Sequence, residues 1–207
     1  MLYYTDNIPI ALPADIVAVL PQERLRKAEC YHRSSDRVLC GLAYYLFAYG
    51  IEKEYGIPLE ARQDWEYNGY GKPFLSGYPH INFNVSHCSE AVFCGFSSYP
   101  IGVDVQGMIS DIASISPMVC TAAELERLEA SDEPERLFTR FWCLKEAYFK
   151  QQGTGITDAL NRIDFSDIEG SGMEKYGLCF SAFEISDRCF AVCGKEAFTR
   201  KDLILIP

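Results

Sequence analysis

The stretch from Phe141 to Lys150 constrains the fold more than any other part of the chain. Large apolar residues recur there at helical spacing: Leu137, Phe141, Leu144 and Tyr148. This period predicts an amphipathic helix whose apolar stripe packs on a core. Lys145 falls inside the stripe, while Glu146 and Lys150 lie at its edge. Two interpretations stay open: these charges mark a site for a charged ligand, or Lys145 snorkels and Glu146 and Lys150 form a weak surface pair.

Size, charge and cysteine usage narrow the class of protein. A chain of 207 residues, 48% of them hydrophobic, can bury a core as one large domain or two small ones. It has no apolar run of about 18 residues and no signal-peptide pattern at its start, so no membrane is expected. The net charge of −10 argues against nucleic acid as the main partner. Nine cysteines without a Cys-x-x-Cys pair suggest reduced thiols and a cytoplasmic protein.

A net negative charge does not exclude a small anionic ligand, which needs only a local cationic pocket. The segment 24–37 is one candidate, because its basic residues outnumber its acidic ones. The basic residues are Arg24, Arg26, Lys27, Arg33 and Arg37. Taken alone, the segment fits a solvated helix face better.

Two further segments are candidate ligand contacts: a glycine-containing loop and the end of a predicted strand. The stretch Gly69–Pro73 offers flexible backbone beside a lysine and a ring, and it is either a ligand-binding loop or simply a turn. The alternation over Ile81–Val85 predicts a strand with one buried face. It ends in Ser86 and His87, which makes them candidate ligand contacts, although a lone histidine is usually structural.

Asp104 stands out in the predicted strand Ile101–Val105, where its neighbours are apolar. Burying a carboxylate costs several kcal/mol unless it is paired or binds a metal, so either a functional carboxylate or a structural ion pair is expected. Glu124 has a simpler account, because Thr121 and Glu124 form a capping box at a helix start.

The remaining pattern predicts two helices near the start and several strands near the end. The helices run from Gln22 to Tyr31 and from Ser34 or Ser35 onward. Strands are expected at the edge of a sheet within residues 1–20 and near 163–165, 177–185, 189–194 and 202–206. A weak internal repeat relates Asn84–Gly95 to Glu184–Gly194. Two halves, each a helix packed on a small antiparallel sheet, would produce this pattern.

Five motifs occur in a fixed order: Gly71-Lys72-Pro73, Phe83-Asn84-Val85-Ser86-His87, Ile101-Gly102-Val103-Asp104-Val105, Trp142-x-x-Lys145-Glu146-x-x-x-Lys150 and Gly153-x-Gly155. Together they resemble the phosphopantetheinyl transferases of the larger, surfactin-synthetase-activating type. The resemblance implies a monomeric α+β protein in which two similar α/β halves form a pseudo-dimer within one chain. The expected N-terminal half spans residues 1–100 and the C-terminal half spans residues 101–207.

The resemblance also implies an activity: transfer of 4'-phosphopantetheine from coenzyme A to a serine of an apo acyl or peptidyl carrier protein. The second product would be 3',5'-ADP, and the metal would be Mg²⁺, with Mn²⁺ as a substitute. A degenerate relative that binds coenzyme A or a carrier without transfer is the main alternative, and a metal-dependent phosphoester hydrolase is another.

Three catalytic roles carry over by position. Asp104 and Glu146 match metal carboxylates, Glu146 also matches a proposed general base, and Lys150 matches a lysine at the pyrophosphate. Gln106 stands where many relatives have a second carboxylate. A glutamine offers the metal a neutral carbonyl or a held water, so weaker metal binding or an altered preference between Mg²⁺ and Mn²⁺ is expected, rather than inactivity.

The expected coenzyme A contacts form a second group. Gly71, Lys72 and Pro73 resemble the loop that borders the adenine, and Ser86 and His87 match residues that meet the phosphates. Arg26 and Arg37 are similar to cations near the 3'-phosphate. Lys145 belongs to the motif, but a phosphate contact and a buried partner remain equally open for it.

Overall fold

The computed structural model describes residues 1–58, 65–155 and 160–207. Its helices are α1 (Ala14–Val19), α2 (Gln22–Glu29), α3 (Ser34–Tyr55), α4 (Ser116–Val119), α5 (Ala122–Glu129) and α6 (Pro134–Gln152). Its strands are β1 (Leu2–Thr5), β2 (Glu66–Tyr67), β3 (Pro73–Phe74), β4 (Asn82–Cys88), β5 (Ala91–Ser97), β6 (Gly102–Gly107), β7 (Ser171–Lys175), β8 (Leu178–Ile185), β9 (Arg188–Gly194) and β10 (Leu203–Leu205).

Two four-stranded sheets form the centre of the molecule, and a long helix covers the outer face of each. The first sheet has the order β10-β1-β5-β4, and the second has the order β6-β9-β8-β7. Residues such as Leu2, Phe93, Val103 and Phe190 form an apolar cluster between the sheets. Helix α3 packs on the first sheet around Phe47, and α6 packs on the second sheet within its own cluster. The layers are therefore helix, sheet, sheet, helix.

The two halves repeat one arrangement. In the first, β1 pairs antiparallel with β5, which pairs with β4. In the second, β6 pairs antiparallel with β9, which pairs with β8. In each half the first strand, β1 or β6, precedes the long helix, and the hairpin follows it. The α+β prediction with two similar halves is confirmed, and the repeat in the sequence lies in the two hairpins.

The chain termini depart from the prediction. Strand β1 is not at an edge, because β10 pairs with it in parallel on the side away from β5. The expected boundary at residue 100 falls where the chain passes from the first sheet to the second, but β10 returns to the first sheet. The division into 1–100 and 101–207 stays a prediction.

The segment after α6 also differs. Residues 163–165 form no strand; a 3₁₀ turn precedes them, and the Phe165 backbone N–H donates instead to Glu124 Oε1 at 2.8 Å. Strand β7 was not predicted, because it is exposed over most of its length and lacks apolar alternation.

The predicted helix signals hold closely. Helix α6 has Pro134 at its start and ends at Gly153, whose φ of 68° is the left-handed conformation that favours glycine. Helix α3 starts at the expected Ser34, and the Thr121–Glu124 capping box is present. No helix in the described ranges is long and apolar enough to cross a membrane.

Candidate active site

The two sheets meet at a seam between β4 and β6, the edge strands of their sheets. Asn84 Oδ1 accepts a hydrogen bond from the Val103 backbone N–H at 2.9 Å, and Ser86 Oγ donates to Asp104 Oδ1 at 2.7 Å. Residues two apart on a strand share a face, so Asn84 and Ser86 reach across the seam together. Both side chains are buried. They fix the part of β6 that carries Asp104.

Helix α6 lies against β6 at very close range because residue 102 is glycine. A Cβ at Gly102 would lie 2.0 Å from the Ala147 carbonyl oxygen and 2.3 Å from the Gln151 backbone nitrogen. Any side chain there would force the helix away from the strand. This approach brings Lys150 to Asp104, with Nζ 2.5 Å from Oδ1, and Lys150 also donates to Ser86 Oγ at 2.9 Å.

Asp104 keeps one carboxylate oxygen free for a further partner. Its side chain is buried. Oδ1 binds Lys150 and Ser86, and the buried Oδ2 makes no hydrogen bond of normal geometry. The Cys143 thiol lies close to this carboxylate, because Asp104, after burial and Cys189, contributes to the raised pKa of that thiol. An orphaned carboxylate oxygen is costly unless a cation or donor meets it. The described ranges contain no ready cluster of three or more metal-ligating side chains. Mg²⁺ typically takes one or two carboxylates and completes its shell with phosphate and water, so this oxygen fits such an ion.

Glu146 lies one helical turn before Lys150 and is also buried. The pKa of its carboxyl is raised to about 7: burial is the main cause, Lys150 opposes the rise, and nearby Asp104 adds to it. A carboxyl with a pKa near neutrality can accept or release a proton under ordinary conditions, which suits a general base.

A cleft of about 300 Å³ opens beside these side chains. It is lined by the loop Tyr70–Pro73, by Asn84 and Val85 of β4, by Glu146, Phe149 and Lys150 of α6, and by Gly153 and Gly155. The Gly-Lys-Pro loop, two of the expected catalytic residues and both glycines of the last motif therefore lie around one space. A cleft of this size suits a small-molecule ligand.

The Lys72 side chain has a different environment from its backbone. Its ammonium donates to the carbonyl oxygens of Ile101 and Gln151, both at 3.0 Å, and burial lowers its pKa to about 8. These bonds tie the loop to the start of β6 and the end of α6. The ammonium is thus engaged by the protein, and the rest of Lys72 lines the cleft.

His87, Arg37 and Arg26 do not line the cleft. Part of the His87 ring reaches solvent, but the surrounding protein atoms and then Lys150 lower its pKa, against the opposing effects of Asp36 and Asp104. His87 is therefore close to Lys150 and to the first turn of α3. Arg37, in the same turn, is exposed and donates through Nε to the Tyr31 carbonyl at 2.8 Å. Arg26 is exposed on α2.

Gln106 follows Asp104 by two residues on β6 and so lies on the same face of the strand. It is half-buried.

Lys145 is the expected ligand contact that the structure contradicts. Its side chain is 0% exposed, and its ammonium donates to Glu124 Oε2 and the Val119 carbonyl, both at 2.6 Å, and to the Leu160 carbonyl at 2.8 Å. With three acceptors inside the core, Lys145 has no surface to offer a phosphate. The buried-partner interpretation is correct, and the partner is Glu124.

Sequence reasoning missed the cross-molecule contacts of two asparagines: Asn84, which accepts from the Val103 N–H, and Asn68, whose Nδ2 donates to the Gly153 carbonyl at 2.8 Å. Asn84 lies within the Phe-Asn-x-Ser-His motif, but its bond to a neighbouring strand leaves no trace in local periodicity. Asn68 precedes a glycine, which signals a turn. Neither signal reveals the contacts that each amide makes across the molecule.

Residues 100–197, just under half of the chain, match the family model of the 4'-phosphopantetheinyl transferase superfamily.

Sequence relatives agree with this family. A 4'-phosphopantetheinyl transferase of Bacillus subtilis is 26% identical over 144 residues, which cover 69% of this chain and 64% of the relative. The 4'-phosphopantetheinyl transferase Sfp of Bacillus subtilis strain 168 is 29% identical, with coverage of 67% and 62%. The L-aminoadipate-semialdehyde dehydrogenase-phosphopantetheinyl transferase of Xenopus laevis is 34% identical over 48% of this chain and 38% of the relative. The chain thus matches less than two thirds of the length of these curated relatives.

Proposed function

We propose that this protein transfers 4'-phosphopantetheine from coenzyme A to a serine hydroxyl of an apo acyl or peptidyl carrier protein. The observation that carries the proposal is the meeting of Asp104, Glu146 and Lys150 beside a cleft bordered by the Gly71–Pro73 loop. In the reaction, the serine oxygen forms a bond to the β-phosphorus. The bridging phosphorus–oxygen bond of the pyrophosphate breaks, and 3',5'-ADP leaves.

The side chains supply what this displacement needs. Attack on a pyrophosphate requires a base for the hydroxyl proton, cations for the developing charge, and fixed geometry. Glu146, with its pKa near 7, takes the serine proton directly or through water. The Lys150 ammonium stabilises the negative charge that grows on the leaving group.

Asp104 and Glu146 would hold Mg²⁺, with Mn²⁺ as a substitute, and the free Oδ2 of Asp104 supports this role. When bound, the ion supplies positive charge to the phosphate oxygens. Gln106 would contribute a carbonyl oxygen or hold a water molecule. Because it is neutral, the ion gains less electrostatic stabilisation than a second carboxylate would give it.

Coenzyme A would lie along the cleft, with its adenine at Gly71, Lys72 and Pro73. His87 would meet the phosphates, and the neighbouring Ser86 would orient Lys150 and Asp104 beneath them. Arg37, in the first turn of α3, and Arg26 offer exposed cations for the 3'-phosphate. The N-terminal end of a helix favours negative charge, which supports an anion near Arg37.

We also propose the finer type, namely a monomer of the surfactin-synthetase-activating kind. The two repeated halves within one chain support it, because they complete one cleft without a second copy. Nine free cysteines are consistent with a reducing, cytoplasmic setting.

Mass spectrometry of carrier proteins tests the activity. The protein is incubated with coenzyme A, Mg²⁺ and several apo carriers, and a phosphopantetheine mass gain on one carrier is the expected result. The Glu146→Gln variant should lose transfer but keep most of its coenzyme A affinity, whereas the exposed control Glu129→Gln should retain both. Coenzyme A binding without any mass gain would favour a binding protein, and phosphate release without a carrier would favour a hydrolase.

A further inference from the structure

Asn68 lies in the loop 68–72 that connects β2 to β3, and its side chain makes three hydrogen bonds of ordinary length in the structure. Its Oδ1 accepts from the backbone N–H groups of Tyr70 and Lys72, both at 2.9 Å. Its Nδ2 donates to the Gly153 carbonyl at 2.8 Å. One side of the amide therefore shapes the loop, and the other side attaches the loop to a residue 85 positions further along the chain.

The attachment point is the C-terminal end of α6. A helix ends with carbonyl groups that have no partner within the helix, and this end carries partial negative charge. Asn68 bonds the Gly153 carbonyl, and the Lys72 ammonium bonds the Gln151 carbonyl. Two donors from one short loop thus cap the helix that carries Glu146 and Lys150.

The fit around Gly153 is close. A Cβ at Gly153 would lie 3.1 Å from Asn68 Nδ2 and 3.1 Å from Lys72 Cδ, and the backbone there has a positive φ. Only glycine adopts this conformation readily and admits the loop. The second glycine of the motif, Gly155, faces Tyr70: a Cβ added at Gly155 would lie 4.0 Å from the Tyr70 Cβ. The Gly-x-Gly motif is therefore the surface on which the loop rests.

We infer that Asn68 is a positioning residue for coenzyme A: its amide holds the Tyr70–Pro73 side of the cleft in register with the catalytic helix. This inference rests on the proposed function, because it assigns coenzyme A to the cleft. Asn68 does not line the cleft itself. Its effect passes through the loop, so it should act on coenzyme A affinity and leave the carrier site alone.

The isosteric variant Asn68→Asp isolates the attachment. The carboxylate keeps an acceptor for Tyr70 and Lys72, loses the donor to Gly153, and adds negative charge at the negative end of α6. The KM for coenzyme A should rise about tenfold, equivalent to ~1.4 kcal/mol, with the KM for the carrier unchanged and kcat altered less than threefold. Asn68→Ser, which loses the donor without adding charge, should raise the KM for coenzyme A about threefold.

Asn82→Asp is the matched control, because Asn82 Nδ2 also donates to a carbonyl, that of Ser98 at 3.2 Å, but outside this cleft. It should leave the KM for coenzyme A within twofold. The dissociation constant of coenzyme A, measured by titration calorimetry without a carrier, should follow the same order. A merely structural role would instead lower kcat and leave the KM values for coenzyme A and for the carrier unchanged. That pattern in both Asn68 variants would overturn the inference. Failure of the unsubstituted protein to bind coenzyme A would refute the proposed function itself.

Discussion

Replacing Lys145 with methionine tests whether this lysine in the apolar stripe of α6 is a buried ion-pair partner or a ligand contact. The ammonium is fully buried and donates to Glu124, Val119 and Leu160. Methionine fills a similar volume without charge. The substitution therefore leaves the Glu124 carboxylate without its cation and two backbone carbonyls without a donor.

Removing one partner of a buried ion pair costs about 3–5 kcal/mol, because the other charge stays buried without compensation. Glu124 retains hydrogen bonds from the backbone N–H groups of Thr121 and Phe165, both at 2.8 Å, so we expect a loss near 3 kcal/mol. A domain of this kind has a free energy of unfolding of about 5–15 kcal/mol, so this loss is a large fraction. Adding Glu124→Gln removes the unpaired charge and should recover about 1–3 kcal/mol.

Urea unfolding followed by tryptophan fluorescence, to which Trp65 and Trp142 both contribute, measures these values for the two single variants and the double variant. Lys201→Met, at an exposed position, is the control and should change stability by less than about 0.5 kcal/mol. The folded Lys145→Met variant should bind coenzyme A within twofold of the unsubstituted protein. A stability loss below about 1 kcal/mol together with a tenfold loss of coenzyme A affinity would refute the buried-pair assignment.

Three further predictions concern the metal site. In EDTA, the Glu146 carboxyl should favour the folded state most below its ordinary pKa of 4.5 and lose this contribution as pH rises through about 7. At pH 8, the Glu146→Gln variant should therefore be more stable than the unsubstituted protein by up to about 3 kcal/mol in urea unfolding. A stability difference that does not change with pH would contradict the assignment. The Lys150→Met variant frees Asp104 Oδ1 and removes a positive charge. In an electron paramagnetic resonance titration without coenzyme A, it should therefore bind Mn²⁺ about tenfold more tightly than the unsubstituted protein. Weaker Mn²⁺ binding would argue against Asp104 as a ligand. Gln106→Glu adds a carboxylate on the same face of β6, and calorimetry should show Mg²⁺ affinity rising about threefold to tenfold; unchanged affinity would place residue 106 outside the metal's reach.

The fold was predictable where local pattern and burial agree. The stripe of α6, the capping box at Thr121 and the alternation in β4 follow from side chains that face one core. Strand β7 has no such face, since it is exposed at the edge of the second sheet. The parallel pairing of β10 with β1 joins residues about 200 positions apart, and no local period encodes a partner at that distance.

The candidate site was predictable at its charges but not at their partners. Asp104 and Lys145 drew attention because each is charged among apolar neighbours, and burial confirms that both need a partner. Sequence alone does not reveal which partner each takes. The capping box was a sufficient explanation of Glu124, so its further bond to Lys145 had no separate signal.

The position of the site follows from how the two halves join. Exposed edge strands have unpaired backbone groups, which proteins usually cover or block. Here β4 and β6 are edges of different sheets, and Asn84 uses its side chain to satisfy a backbone N–H of the opposite strand. The first half supplies Ser86 and the Gly71–Pro73 loop, and the second supplies Asp104 with the helix α6. Neither half alone contains the cleft and its charges, so the joining of the sheets and the formation of the site are one structural event.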